Sequence, residues 1–186
     1  MNLIFGWESV ARLLDEPNLE EMLRAHWQEL SVQKDELPLD TDYQCLVDQN
    51  DRGLYRVWGA RNGKTLVGYL AFYIFCPPHH RGTLIAVDDG YYLDPAYRVG
   101  WNGVKMWRAA LDALAQLGVK GVIGNDRLHF QKERGGIGAI FRRLGGTPTD
   151  RLWWFSLRAS DEQPAAGQRV IRRKPADLYS DRAAGG

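Results

Sequence analysis

The sequence has only two cysteines among its 186 residues, Cys45 and Cys76, and neither belongs to a Cys-x-x-Cys pair. This scarcity excludes a disulfide framework and argues against a zinc site built on thiolates. Both cysteines have apolar neighbours in the sequence, so we expect reduced, buried thiols. The adjacent His79 and His80 have no carboxylate or cysteine at metal-ligand spacing, and no metal is predicted.

A long hydrophobic segment is also missing. The longest apolar run, residues 66–75, is about half of the ~20 residues that a membrane helix needs, and the N-terminus lacks the basic and apolar regions of a signal peptide. Lysine and arginine total 24 against 23 acidic residues, a net charge of +1, so no overall field attracts nucleic acid or an anionic membrane. These absences predict a cytoplasmic protein that binds neither.

The first fifty residues carry apolar side chains at helical spacing. Three helices are predicted there, over residues 7–17, 19–30 and 41–49. The first includes Trp7. The second begins with a capping box formed by Asn18 and Glu21, and the third is capped by Thr41 or Asp42.

The rest of the chain alternates between strand and helix patterns. Strands are predicted over residues 54–60, 65–76, 83–93, 119–124 and 151–157, and helices over residues 101–117 and 137–144. Asn62-Gly63 marks a hairpin turn between the first two strands. The run 65–76 is apolar on both faces and is expected at the centre of the sheet. This order predicts an α/β fold with a central mixed β-sheet and helices on both faces.

The composition divides the chain near residue 158. Residues 1–158 are long enough to form one domain with its own core. Residues 159–186 are rich in Pro, Gly, Asp and Arg and cannot bury enough surface to fold alone. This polar tail contains a small basic cluster, Arg169, Arg172, Arg173 and Lys174, which is either solvated or docks on an acidic partner.

One segment, residues 92–103, has the pattern of an anion site. A strand ends at Asp94-Pro95, a short loop follows with one arginine and two glycines, and an amphipathic helix begins directly after it. Amides in the first turn of a helix lack acceptors within the helix, and the helix dipole is positive there. The pattern suits a pyrophosphate, although an ordinary glycine-rich helix entry has the same residues. Walker and Gly-x-Gly-x-x-Gly motifs are absent.

The order and spacing of these residues resemble the core of the GNAT acetyltransferase superfamily. The resemblance rests on Leu93-Asp94-Pro95-Ala96-Tyr97-Arg98, on Gly100 and Gly103, on Ala115-Gln116-Leu117-Gly118-Val119, and on the stretch from Phe141 to Pro148. It covers residues 53–157 and is closest to divergent members carried by bacteriophages.

The resemblance implies that acetyl-coenzyme A is the cosubstrate and lies in a V-shaped gap between strands 83–93 and 119–124. In such proteins the pantetheine arm pairs with the backbone of the first strand, here near Tyr91, Tyr92 and Leu93. The pyrophosphate is expected on the loop and the start of the helix, at Arg98, Val99, Gly100, Trp101, Asn102 and Gly103. The acetyl group is expected near the middle of the long strand.

Three residues depart from the family pattern. Trp101 stands where the first glycine of the loop is expected and would narrow the phosphate cradle, although Gly100 beside it compensates. Phe141 replaces a tyrosine that acts as general acid toward the departing thiolate, and a phenyl ring has no proton to donate. Arg134 stands where the family has an asparagine.

Acyl transfer to an amine needs a base for the amine proton and a donor for the carbonyl oxygen. Asp88 and Asp89 lie near the expected acetyl position and point to opposite faces of the strand. Asp89 is predicted to be the base or to hold a water, the alternative being a solvated bulge residue. Tyr91 or Tyr92 is predicted to replace the missing phenol, and His129 to face the mouth of the gap. A structural role is the alternative for each.

Two functions are compatible with these observations. The first is an N-acetyltransferase that moves acetyl from acetyl-coenzyme A to a primary amine of a protein or a small molecule. The second, suggested by Trp101, Arg134 and Phe141, is a catalytically inactive GNAT-fold protein with a structural or interaction role, such as a component of a phage particle. No motif names the acceptor.

Overall fold

A computed structural model of the chain describes residues 2–31, 34, 37–126, 136–150 and 152. Residues 1–148 form one compact unit and residues 149–186 a second. The predicted strand over residues 151–157, except Leu152, and the predicted tail over residues 159–186 lie outside the described residues. The division near residue 158 therefore stays a prediction.

Five strands in the described part of the chain form one mixed sheet. They are β1 (Ile4–Glu8), β2 (Tyr55–Asn62), β3 (Thr65–Phe75), β4 (Leu84–Leu93) and β5 (Val119–Ile123). They lie side by side in chain order, antiparallel from β1 to β4 and parallel between β4 and β5. β3 is the middle strand, and its Leu66, Leu70 and Phe72 are fully buried. This position explains why its sequence is apolar on both faces.

Helices cover both faces of the sheet, which confirms the predicted α/β class. They are α1 (Val10–Leu13), α2 (Leu19–Leu30), α3 (Tyr43–Asp51), α4 (Asn102–Gln116) and α5 (Gly138–Arg143). α1, α2 and α3 pack on one face and α4 and α5 on the other, each over its own apolar core. None of the helices within the described ranges has the length and apolarity needed to cross a membrane.

The N-terminal segment differs from the prediction. Trp7 lies in β1 rather than in a helix, and it pairs with Trp58 of β2, with ring centroids 4.8 Å apart in an edge-to-face arrangement. A short apolar run is compatible with the periodicity of a helix and with that of a strand. Here the pairing with the edge of β2 favours the strand. The helix that follows is reduced to the four residues of α1.

Two local predictions are corrected by long-range contacts. Asn18 does not cap α2 with its side chain, because its Nδ2 donates to the Leu66 carbonyl of β3 at 2.9 Å. The hairpin turn is formed by Gly63 and Lys64 rather than by Asn62-Gly63, since Asn62 is still paired in the ladder. Gly63 has a φ of 60°, as the first position of a type II′ turn requires.

Exposure also differs from expectation at both cysteines. Both Cys45 and Cys76 are exposed rather than buried, because the first lies on the solvent side of α3 and the second follows the end of β3. In β5 only Val119 is buried. The predicted cap of α3 is confirmed as Asp42, which accepts a hydrogen bond from the third helical amide at 2.9 Å.

We expect Phe72→Ala to lower the free energy of unfolding by about 3–5 kcal/mol, because it removes a fully buried ring that packs edge-to-face on Trp107. Phe75→Ala on the same strand is the matched control: the Phe75 side chain is 41% exposed, and we expect a loss of about 1 kcal/mol or less. Urea unfolding measures both. Equal losses would show that the core does not centre on β3.

Candidate functional site

Strand β4 separates from β5 halfway along its length. Its pairing with β3 continues from Ile85 to Leu93, whereas its pairing with β5 ends at Val87 opposite Ile123. Among the described residues, no strand pairs with the β5 side of β4 from Asp88 onward. We call this opening the β4–β5 gap, and it lies where the sequence predicted a V-shaped gap.

The backbone of β4 faces the gap at alternate residues. The Asp94 amide donates to the Val67 carbonyl of β3 at 2.8 Å. Because successive residues of a strand direct their N–H and C=O groups to opposite sides, Tyr92 faces β3 while Tyr91 and Leu93 face the gap. The backbone of Tyr92, which was predicted to bind the coenzyme, therefore faces β3 within the sheet and not the gap. Tyr91 and Leu93 are the residues that present backbone groups to the gap.

Polar side chains hold the loop after β4 in shape. Asp94 caps a 3₁₀ turn over Pro95–Tyr97, accepting from a backbone amide of that turn at 2.8 Å. Asn102, at the start of α4, donates its side-chain amide to the Tyr97 carbonyl at 3.0 Å. Gly100 has a φ of 59° and open space where a Cβ would be, a conformation that favours glycine. The loop conformation is therefore set before any ligand binds.

This loop presents backbone amides that have no acceptor. Within the described part of the chain, no hydrogen bond is donated by the backbone N–H groups of Val99, Gly100, Trp101, Gly103 and Val104. The amide of Asn102 has only a long contact of 3.4 Å with the Val99 carbonyl. Together these donors surround the first turn of α4, where the helix dipole is positive. The arrangement can bind an anion such as a pyrophosphate.

Arg98 does not present a free charge to these amides. Its Nη2 lies 2.8 and 2.9 Å from the two carboxylate oxygens of Glu29 on α2, and its Nε donates to the Leu93 carbonyl. The guanidinium also lies over the ring of Tyr92, 5.3 Å from its centroid. The side chain connects the loop to α2 and β4, and Glu29 neutralises its charge. The phosphate-binding role of Arg98 stays a prediction.

Trp101 does not fill the loop, contrary to the expectation from its size. Its side chain is 58% exposed, and its ring packs under the guanidinium of Arg143 on α5, 5.1 Å from ring centroid to Cζ. The space beside Gly100 stays open. The departure from the family pattern at this position therefore leaves the cluster of free amides accessible.

Gly103 and Tyr91 meet where α4 begins. A Cβ on Gly103 would lie 2.8 Å from the Tyr91 hydroxyl oxygen and 3.1 Å from Cδ1 of Ile140, so packing requires this glycine independently of any ligand. The Tyr91 hydroxyl consequently lies beside the first turn of α4. That Tyr91 replaces the missing phenol of the family stays a prediction. Burial raises the pKa of Tyr91 to about 12, and the charge of Arg98 acts in the opposite direction.

Phe141 of α5 closes one side of the gap. Its ring packs edge-to-face on Trp107 of α4, with centroids 4.9 Å apart. A Cβ on Gly124, the residue after β5, would lie 2.7 Å from the ring. The position predicted to match the acid of the family thus borders the gap without a proton to donate. The Trp107 indole N–H is buried and has no acceptor among the described residues.

A β-bulge gives the two aspartates of β4 different surroundings. Asp88 and Gly90 pair with consecutive residues of β3, so Asp89 is the extra residue. Asp88 is 6% exposed and accepts hydrogen bonds from the backbone and side-chain nitrogens of Asn125 at 2.7 and 2.5 Å. Asp89 is exposed. Of the two carboxylates, Asp89 is therefore the one exposed to solvent.

Tyrosines surround Asp89 on the face covered by α1, α2 and α3. Tyr55 donates its hydroxyl to Asp89 at 3.0 Å, and Tyr73 packs on Tyr55 with centroids 5.0 Å apart. His26 of α2 hydrogen-bonds the Tyr69 hydroxyl through Nδ1 at 2.5 Å. Burial, followed by the Asp89 charge, raises the pKa of both Tyr55 and Tyr69, so both phenols remain donors. We call these five residues the Asp89 cluster.

Sequence analysis did not identify the other four residues of the Asp89 cluster. They come from α2, β2 and β3, and no local motif links them. The one available indication is the even spacing of Tyr69 and Tyr73, which places both on one face of a strand. The predicted His129 and the family departure at Arg134 lie outside the described residues. Within the described ranges, no group of three or more His, Cys, Asp or Glu side chains could hold a metal ion.

Gly103→Ala tests the contact between α4 and β4. We expect a loss of about 1–3 kcal/mol in the free energy of unfolding, because the new Cβ overlaps the Tyr91 hydroxyl. In the double variant with Tyr91→Phe, which lacks that hydroxyl, part of the loss should be recovered. Urea unfolding of the wild type, both single variants and the double variant gives the coupling free energy. Strictly additive losses would contradict this contact.

The raised pKa of Tyr91 also predicts a dependence of stability on pH. The ordinary pKa of tyrosine is 10.0 and that of folded Tyr91 is about 12, so folding favours the neutral phenol. The stability that this preference contributes is complete below pH 10 and is lost as the pH rises toward 12. We expect the free energy of unfolding to fall less steeply in Tyr91→Phe than in the wild type over this interval. Identical slopes in urea unfolding would contradict the burial of Tyr91.

Comparison with known families and structures agrees with this geometry. The acetyltransferase (GNAT) family matches residues 19–129 of the chain, which is more than half of its length. No curated protein sequence gives a significant match.

Several solved structures share the fold. An aminoglycoside acetyltransferase, meta-AAC0020, from an uncultured soil metagenomic sample, in complex with sisomicin, has a TM-score of 0.62 at 14% identity, over 84% of this chain and 97% of that one. The ribosomal-protein-alanine N-acetyltransferase of Brucella melitensis biovar Abortus 2308 has a TM-score of 0.64 at 16% identity, over 86% and 99%. AAC(6')-Iy, in complex with the bisubstrate analog CoA-S-monomethyl-acetylneamine, has a TM-score of 0.55 at 13% identity, over 86% and 100%. At these identities the likeness shows a common fold and not a common substrate.

Proposed function

Because the chain belongs to the GNAT acetyltransferase family, whose members use acetyl-coenzyme A, we propose that it transfers acetyl from acetyl-coenzyme A to a primary amine. The observation that carries this proposal is the unpaired edge of β4 beside the acceptor-free amides at the start of α4. Family membership and the mixed sheet confirm the predicted GNAT-type acyltransferase and its fold. The bacteriophage origin and the cytoplasmic location remain predictions.

The residues of the gap fit the coenzyme. The pyrophosphate would be held by the amides of Val99, Gly100, Trp101 and Gly103, which have no other acceptor in the described part of the chain. Backbone groups of Tyr91 and the backbone N–H of Leu93 would pair with the pantetheine arm, since the Leu93 carbonyl already accepts from Arg98. A carbonyl of that arm would also give the buried Trp107 indole N–H an acceptor. When bound, the coenzyme supplies the acetyl thioester.

Asp89 is proposed as the base. Its exposed carboxylate lies on the bulge of β4 and takes the proton of the acceptor ammonium, directly or through a water. The neutral nitrogen then forms a C–N bond with the acetyl carbon as the C–S bond breaks. The Tyr55 hydroxyl, 3.0 Å from Asp89, orients the carboxylate. The products are an acetamide and the free thiol, and one proton is released overall.

The departing sulfur needs no acid from the protein under this proposal. A thiol has a pKa of about 8.5, so the thiolate is a stable leaving group near neutral pH. Phe141 borders the gap without a proton, and the Tyr91 hydroxyl lies at Gly103. Phe141 is also the observation that favours the second candidate function, an inactive GNAT-fold protein with a structural role.

A pair of measurements separates these functions. Calorimetric titration of the full chain with acetyl-coenzyme A should detect binding, and release of free thiol in the presence of mixed primary amines should detect turnover. Binding with turnover supports the enzyme. Binding without turnover, or no binding, leaves the structural candidate.

Asp89→Asn tests the base. We expect kcat to fall by about 10²–10⁴-fold while the Kd for acetyl-coenzyme A is unchanged, because the amide cannot accept the amine proton but still accepts the Tyr55 hydrogen bond. Asp48→Asn is the matched control, since Asp48 is an exposed carboxylate on α3, and its kcat should equal that of the wild type. A kcat unaffected by Asp89→Asn would remove Asp89 from the mechanism.

A further inference from the structure

An ion pair between α2 and the loop after β4 lies at the edge of the β4–β5 gap. Nη2 of Arg98 is 2.8 and 2.9 Å from the two carboxylate oxygens of Glu29, and Nε of the same guanidinium donates to the Leu93 carbonyl. Because the backbone groups of Leu93 face the gap, the guanidinium bonded to its carbonyl lies on the gap side of β4. Among the described residues, Glu29 is the one carboxylate paired with Arg98.

The same pair adjoins the loop that carries the free amides. Arg98 directly precedes Val99, the first residue of that loop whose N–H has no acceptor in the described part of the chain. Glu29 comes from 69 residues earlier in the sequence, and the ring of Tyr92 lies under the guanidinium. Without the Glu29 carboxylate, this place would carry one unbalanced positive charge beside the amides.

We propose that Glu29 is a positioning residue that sets the affinity for the coenzyme. It holds the guanidinium of Arg98 on Leu93 and balances its charge, so that uncharged backbone amides bind the diphosphate. The inference rests on the proposed function and specifies how the affinity of that site is regulated. Product coenzyme A carries the same diphosphate, and the balanced charge favours its release, a step that limits turnover in many enzymes.

The exposure of the pair determines how the effect can be measured. The side chains of Arg98 and Glu29 are 35% and 30% exposed, so their fields act partly through solvent and are screened by salt. A pair at this exposure adds little to stability, and the chain is expected to stay folded when either charge is removed. Binding of a diphosphate, in contrast, depends directly on the net charge beside it.

Glu29→Gln tests the inference in the full chain, with coenzyme A as the probe in calorimetric titrations at low and high salt. The amide keeps the size of the side chain and an oxygen that accepts from Arg98, but it removes the negative charge. We expect the Kd for coenzyme A to fall about three- to tenfold at low salt, and this gain to disappear at high salt. Weaker binding would show that the carboxylate only supports the shape of the loop, and would overturn the inference.

Glu20→Gln is the matched control for the loss of one negative charge. Glu20 is an exposed carboxylate on the same helix, and it forms no ion pair among the described residues. Its Kd for coenzyme A should equal that of the wild type. A gain as large as that of Glu29→Gln would assign the effect to net charge alone and overturn the inference.

A cycle with Arg98→Gln tests whether the diphosphate relies on the arginine. Arg98→Gln alone leaves the Glu29 charge unbalanced and should weaken coenzyme A binding about three- to tenfold at low salt. The double variant has no charge at either position, so its Kd should return to within about twofold of the wild type. A double variant that binds as weakly as Arg98→Gln would show that the guanidinium itself holds the diphosphate, and would overturn the inference. Urea unfolding checks that each variant is folded.

The outcomes also separate this inference from the proposed function. Tighter binding of coenzyme A in Glu29→Gln, without any thiol release by the wild type, would refute the enzyme and keep the role of Glu29. Thiol release with equal Kd values for the wild type and Glu29→Gln would keep the enzyme and refute the inference. Absence of coenzyme A binding in all variants would refute both.

Discussion

The two edges of strand β4 are paired over different lengths, and the candidate site depends on this difference. One edge of β4 is bonded to β3 as far as Leu93, and the other is bonded to β5 only as far as Val87. An unpaired strand edge carries N–H and C=O groups that need partners. The loop and the first turn of α4 follow this edge directly in the chain, so their free amides lie next to it. The proposed coenzyme site thus follows from the place where two strands separate, and no single residue creates it.

A one-residue bulge in β4 places the adjacent residues Asp88 and Asp89 in different surroundings. Side chains of a strand alternate between faces with a period of two, and one extra residue changes this alternation. Asp88 is buried and bonded to Asn125, which ties the residues after β5 to β4 at the point of separation. Asp89 lies on the opposite face among tyrosines. Adjacent residues of the same type therefore have unlike surroundings: Asp88 is hydrogen-bonded within the fold, and Asp89 is exposed to solvent.

Two glycines beside the gap leave room for aromatic side chains. The absent side chain of Gly103 leaves room for the Tyr91 hydroxyl, and that of Gly124 leaves room for the Phe141 ring. Trp101, which has no such partner, packs on Arg143 at the surface. Trp101 and Phe141, two of the residues that depart from the family pattern, are thus accommodated by the packing around them. This explains how the amide cluster stays open although bulky residues stand where the family has smaller or polar ones.

Local features of the sequence determined most of the fold and the place of the loop with acceptor-free amides. Helical spacing predicted α2, α3 and α4, and the run that is apolar on both faces predicted β3 at the centre of the sheet. The glycine loop predicted the free amides. Each of these patterns lies within a few neighbouring residues and can be read locally. Only the tertiary structure decided that Trp7 joins a strand, that Arg98 binds Glu29, and that tyrosines lie around Asp89. These features depend on strand register and on contacts between residues far apart in the chain, which no local pattern encodes.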